Sequence, residues 1–149
     1  MTIEDRLGDA ELLWRHGRRE GALLSALVAV AATAQRAFPK AGDGDAFRRF
    51  LRTHHEWSIS VEYRGAQIDL DQLFWKWLRC ELVHAGRLPP DLRVDDHFAD
   101  PSGLSVRAGG APEHIVLLTP GWFTFLTNII RKPTASRLEM MDGRPRLLR

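Results

Sequence analysis

Apolar positions fall three and four apart over long stretches of this chain, and the helices they predict take up most of its length. Ile3, Leu7, Ala10 and Leu13 or Trp14 make the inward stripe of a first helix from Thr2 to about His16, with Thr2 as its cap and Gly17 as its stop. A second helix, about Arg18 to Phe38, is apolar nearly all round from Ala22 to Ala31, which predicts the central, most buried element. Pro39 and the Gly42-Asp43-Gly44 turn end it. Asp45 then opens a third helix to about His54, with Phe47, Phe50 and Leu51 inward.

From Ser58 to Leu70 the period shortens to two. Ile59, Val61 and Tyr63 alternate, Arg64-Gly65 turns the chain and Gln67-Ile68-Asp69 returns it, so a small hairpin is expected. A fourth helix, capped by Asp69 or Asp71, runs from about Asp71 to Ala85 on the stripe Leu70, Leu73, Phe74, Trp77, Leu78, Leu82 and Ala85. Pro89-Pro90 forbids its continuation. Leu92-Arg93-Val94, Leu104 to Arg107 and His114 to Leu118 read as short strands, the last two joined by Gly109-Gly110. Thr119 as a cap and Pro120 at the first helical position predict a last helix over Gly121 to Ile130. The expected class is α+β, mostly α: an antiparallel helical bundle with a small antiparallel β element and a C-terminal helix. Residues 1–132 would be one domain with β insertions at about 58–70 and 92–118, and residues 133–149 a basic, flexible tail.

A chain of 149 residues can bury a core of its own. The single cysteine, Cys80, excludes an internal disulfide framework and a multi-cysteine zinc site. The longest apolar run, Ala22 to Ala34, is broken by Ser25 and Thr33 and too short to span a bilayer, and no basic region followed by an apolar signal stretch opens the chain. A soluble, cytoplasmic protein without a membrane partner is expected. The formal net charge is +2, but Arg137, Arg144, Arg146 and Arg149 against Glu139 and Asp142 place the whole excess after Pro133. Positions 1–132 hold 17 basic and 17 acidic residues. A neutral body exerts no strong long-range pull on polyanions, so RNA would have to be engaged by a local cluster, the tail or a delivering partner.

The richest chemistry lies in Leu78-Arg79-Cys80-Glu81-Leu82-Val83-His84-Ala85-Gly86. A histidine titrating near neutral pH moves a proton and a fixed cation stabilises a charged phosphorus centre, which together suffice for metal-free RNA cleavage. On a regular α-helix Arg79 projects opposite the apolar stripe, while His84 falls near its edge, about 140° away around the axis and about 7.5 Å along it. The two do not meet over one phosphate within one helix. A pair of chains brings two copies of each into a shared cleft, and Trp75 and Val83, flanking Arg79 on the outward side, are the expected interface. Glu81 could orient the His84 imidazole or pair with an arginine of the second helix.

This segment, following a helix pair in which Arg18-Arg19-Glu20-Gly21-Ala22 opens a long apolar helix, resembles the HEPN domain family (higher eukaryote and prokaryote nucleotide-binding). The resemblance covers about residues 3 to 90 in organisation and the Arg-x4-His segment in specific residues. It implies a dimeric helical bundle and a metal-independent ribonuclease with a composite site at the dimer interface. It also implies a bacterial defence or toxin–antitoxin setting, with an antitoxin or other protein as partner. By the motif, Arg79 would hold the scissile phosphate and His84 act as acid or base, with Cys80 and Glu81 in support. The family usually carries Asn, Asp or His after the arginine, where this chain has Cys80, and a thiol is a poor substitute for an amide. The alternative is a non-catalytic module of the same fold that binds a nucleotide or a protein.

Other candidates carry less. A second Arg-x4-His, Arg49 to His54, lacks the glycine stop and reads as surface on a short helix. His54-His55-Glu56 is too local for a zinc site, which needs distant ligands, so no metal is expected. Cys80 has no conventional cysteine–histidine order behind it. Gly42-Asp43-Gly44 and Gly109-Gly110 are turns rather than phosphate loops, and no cofactor is expected.

Overall fold

The computed structural model describes residues 1–55, 58–109 and 115–131, and it is α+β and mostly helical. Helix α1 (Ile3–Arg15) begins on a capping box. Thr2 Oγ1 accepts the Asp5 N–H and the Asp5 carboxylate accepts the Thr2 N–H, both at 3.0 Å. Gly17, at φ 74°, turns the chain into α2 (Arg19–Ala37). As its all-round apolarity predicts, α2 is the centre of the molecule, with Ala22, Ala26, Leu27, Val30 and Ala34 wholly buried. Its alanines let α1, α3 (Asp43–Arg52) and the last helix approach closely. Helix α3 starts two residues before the expected Asp45, capped by Gly42, so Gly44 lies inside its first turn.

The hairpin forms as expected. Strands β1 (Ser60–Tyr63) and β2 (Ala66–Asp69) pair antiparallel with Tyr63 opposite Ala66. Arg64 at φ 52° and Gly65 at φ 81° both adopt the left-handed conformation a two-residue loop requires. Asp69 is the residue that caps the next helix, accepting the Gln72 N–H at 2.8 Å.

Where the sequence predicts one regular α-helix, three stretches run on as a single rod: α4 (Leu70–Gln72), a π-helical segment (Leu73–Cys80) and α5 (Glu81–Ala85). Leu70, Leu73, Phe74, Leu78 and Leu82 of the expected stripe are buried, Trp77 is half-buried and Ala85 exposed. The wider π turn takes a smaller angular step per residue. Arg79, near the end of this segment, is half-buried. Gly86, at φ 75°, ends the rod, its N–H reaching the Leu82 carbonyl.

The second sheet corrects an expectation. Strands β3 (Leu92–Val94), β4 (Val106–Ala108) and β5 (Val116–Leu118) lie in the order β3-β5-β4. β4 is antiparallel to β5, but β3 is parallel to it, so this sheet is mixed rather than antiparallel. More than twenty residues separate β3 from β5, enough chain for the crossover that parallel pairing demands. Helix α6 (Gly121–Arg131) then packs Trp122, Leu126, Ile129 and Ile130 inward, and Phe123 stacks flat on Trp14 of α1 at 4.2 Å. Thr119 stands just before α6, its carbonyl accepting the Trp122 N–H at 3.2 Å, and its hydroxyl is engaged with the preceding loop. The hydroxyl donates to the Gly103 carbonyl at 2.7 Å and accepts the Ser105 N–H at 3.0 Å, tying the loop before β4 to the start of α6. No helix among the described residues is long and apolar enough to cross a membrane. Gly110, His114 and the tail expected over 133–149 lie outside the described residues.

Candidate functional site

The expected site residues all lie along the rod. Arg79, at the end of the π segment, lays its guanidinium over the Trp75 indole at 4.7 Å. Its Nε is buried and has no hydrogen-bond partner. Arg19, Arg49, Arg52, Arg64 and Arg131 are each committed to a carboxylate, whereas no carboxylate among the described residues pairs with Arg79. Trp75 is not the exposed residue the sequence suggests. It is half-buried, 5.2 Å from Phe47, against the first turn of α3, where a Cβ on Gly44 would come within 2.7 Å of its Nε1. Gly44 therefore makes room for the indole that carries Arg79.

One turn further, Leu82 is buried and anchors α5, Val83 is 43% exposed and His84 is exposed in the last turn. Cys80 and Glu81 are half-buried, Cys80 as a free thiol. Among the described residues no ion pair joins Glu81 to an arginine of α2, and Arg19 pairs with Asp96 at 2.8 Å. Arg79 and His84 thus stand on one helix end as a seated cation and an accessible imidazole.

The flank of the rod opposite Trp75 holds a cluster that sequence reasoning missed. Trp77 meets Tyr63 edge-on at 5.1 Å, and Arg64 from the hairpin loop lies over Trp77 at 4.6 Å. Asp91, just before β3, clamps Arg64 through two bonds of 2.9 and 3.0 Å and accepts the Tyr63 hydroxyl at 2.7 Å. The Arg64 bonds, with Tyr63 adding to them against the cost of burial, hold the Asp91 carboxyl below its ordinary value. Burial first, then the bond to Asp91, pushes the Tyr63 phenol well above its own. The neutral phenol is the form the fold favours, so this stabilisation is complete below the unfolded value of about 10 and is lost as pH rises through the folded one. Tyr63 is the only tyrosine. Absorbance of the native protein at 295 nm should therefore show no phenolate at pH 10.5, while protein in urea titrates near pH 10; matching curves would mean the Tyr63–Asp91 bond does not form.

A third cluster joins α3 to α4. Asp71 is buried and accepts Arg52 Nε at 3.0 Å on one oxygen, with His55 Nε2 at 2.8 Å from the other. Arg52 also reaches Asp69 at 3.4 Å, and these residues with Ser58 and Ile59 line an open cleft of about 320 Å³. Both Asp71 oxygens are spent on this tether. Of the second Arg-x4-His, Arg49 is exposed on the short helix as expected and holds Asp45 at 3.1 Å, while His54 is half-buried with its ring edge-on to Phe50 at 4.7 Å. Two aspartates two positions apart read as alternative caps, and only the hairpin's pairing turns Asp71 toward the end of α3.

Among the described residues no group of three or more His, Cys, Asp or Glu could hold a metal ion. Residues 2–71 match the model of an uncharacterised protein family described as Rv1289. That match takes in α1 to α3, the hairpin and Asp71, and it ends eight residues before Arg79. No curated protein matches the chain, and no solved structure does.

Proposed function

We propose that this chain is a HEPN-like RNA-cleaving protein whose site is completed when two copies bring their rods together. The observation that supports this reading is the Arg79 guanidinium, seated on Trp75 without a carboxylate partner, on the same helix end as an exposed His84. A cation that the fold orients but does not neutralise is suited to a phosphodiester. An exposed imidazole can take up and give back a proton. The substrate's 2′-hydroxyl gives up its proton and attacks phosphorus, Arg79 balances the charge that builds on the phosphoryl oxygens, and the 5′-oxygen leaves with a proton. One His84 can act as base and its counterpart as acid, leaving a 2′,3′-cyclic phosphate and a 5′-hydroxyl. The exposed Val83 beside His84 supplies apolar contact for the second copy. Exposure of His84 favours this reading over a non-catalytic module, which has no use for an accessible imidazole there.

The test is cleavage of a mixed RNA substrate in EDTA by the wild type and by Arg79→Ala and His84→Ala, each checked for fold and oligomeric state. Wild type should leave cyclic phosphate ends, and either substitution should slow cleavage about a hundredfold or more, the scale of a lost acid–base group or charge stabiliser. Variants that cleave as fast as the wild type would overturn this assignment.

A further inference from the structure

The hairpin loop breaks a local rule. In a two-residue loop with both residues left-handed, the first position favours Asn, Asp or Gly, because a longer side chain pays for positive φ. This chain places Arg64 there, at φ 52°. The arginine is held by three contacts: Asp91 takes two of its N–H groups, and its guanidinium carbon lies 4.6 Å from the centre of the Trp77 indole and 5.1 Å from that of the Tyr63 ring. With two N–H groups bonded to Asp91 and its carbon over tryptophan, the guanidinium is held in place, and its side chain is 46% exposed. Lys76, exposed and 5.2 Å from the same indole, puts a second cation beside it. Trp77 lies two residues before Arg79 on the same segment.

A planar guanidinium that is held in place and partly exposed offers a stacking surface for a nucleobase, and a neighbouring ammonium suits the phosphate attached to that base. We infer that Arg64, backed by Trp77 and flanked by Lys76, forms a subsite that stacks one unpaired base of an RNA strand. This rests on the RNA reading above and adds the form of the substrate, a single strand, since a base inside a duplex has no free face. The opposing reading makes Arg64 a brace between the hairpin and Asp91, with no ligand at all.

Substitutions at Arg64 separate the two. Asn suits the loop better than Arg and removes the stacking plane, whereas Lys keeps the charge and loses the plane. Binding is read by fluorescence anisotropy of a labelled ten-nucleotide single-stranded RNA, all proteins carrying His84→Ala so that cleavage does not intervene. Arg64→Asn should keep its melting temperature within about 4 °C of its parent. Both Arg64→Asn and Arg64→Lys should bind about tenfold more weakly, the scale of one lost base stack. Lys76→Ala should flatten the dependence of log affinity on log salt by about 0.7, as for one phosphate contact on a single strand. A blunt duplex should bind the parent and Arg64→Asn alike. Arg64→Lys binding as tightly as its parent, or Arg64→Asn losing stability but no affinity, would overturn the subsite while leaving the cleavage result to stand or fall alone. A parent that binds no RNA would overturn the subsite, and wild-type cleavage in EDTA would then show whether the Arg79–His84 assignment falls with it.

Discussion

Replacing Gly121 with alanine should destabilise the protein by about 3 kcal/mol, the upper end of what forced overpacking costs. Gly121 is the first residue of α6, and its N–H donates to the Pro101 carbonyl at 2.9 Å. A Cβ there would lie 2.7 Å from the Ser102 carbonyl carbon and closer still to the Ser102 and Gly103 carbonyl oxygens. These are backbone atoms, and no rotamer change relieves the clash. The loop is also held by the Thr119 hydroxyl on Gly103 and by Trp122 Nε1 on the Ser105 carbonyl at 2.9 Å, so moving it breaks bonds that seat the largest buried side chain. Gly8→Ala is the control. Gly8 lies in α1 with open space where its Cβ would go, so the same change should stabilise by about 0.5–1 kcal/mol through helix propensity. Urea denaturation of both variants decides, and an unchanged midpoint for Gly121→Ala would mean the loop is not held where the contacts place it.

Asp71→Ala should cost about 2–3 kcal/mol. The Asp71 and His55 side chains are each only 7% exposed, and deleting the carboxylate removes the acceptor shared by Arg52 and His55. Breaking a fully buried ion pair from one side costs about 3–5 kcal/mol. The Arg52 side chain is 59% exposed and returns to water when released, which discounts that figure. Asp71→Asn should lose about 1 kcal/mol or less, because the amide still accepts from Arg52 and can donate to the imidazole. Arg52→Ala should cost no more than about 1 kcal/mol, as for an exposed pair. If Asp71→Ala and Arg52→Ala prove equal, the stability lies in the exposed contact and the buried tether contributes nothing.

How far the sequence could be read follows from how local each signal is. Thr2 and Asp5 are three residues apart, so their capping box is decided before any tertiary contact forms. Gly17 and Gly86 end their helices for the same reason, and the Arg64-Gly65 loop sets the hairpin register. The rod is the instructive failure. Its apolar positions suit either a 3.6-residue or a wider turn, and nothing within the segment chooses between them. In the fold, Trp75 lies against Gly44 and Phe47 on one flank while Trp77 lies against Tyr63 and Arg64 on the other. Two indoles two residues apart both reach a partner there.

The candidate residues divide in the same way. Arg79 and His84 stand out from chain order alone, being chemistry-bearing residues just before a helix stop. That Arg79 stacks on Trp75 with no carboxylate partner among the described residues depends on the packing of α3 against the rod. Neither the Arg64–Trp77–Asp91 cluster nor the Asp71 tether has a sequence signal, since their members are 27 and 19 residues apart along the chain at their widest hydrogen bonds to Arg64 and Arg52. By itself the sequence determined the helices, their stops, the hairpin and the central place of α2, because periodicity and turn chemistry act over a few residues. Only the tertiary structure decided the π turn, the parallel pairing of β3 with β5 and the partner of each charge, because these depend on which distant surfaces are pressed together.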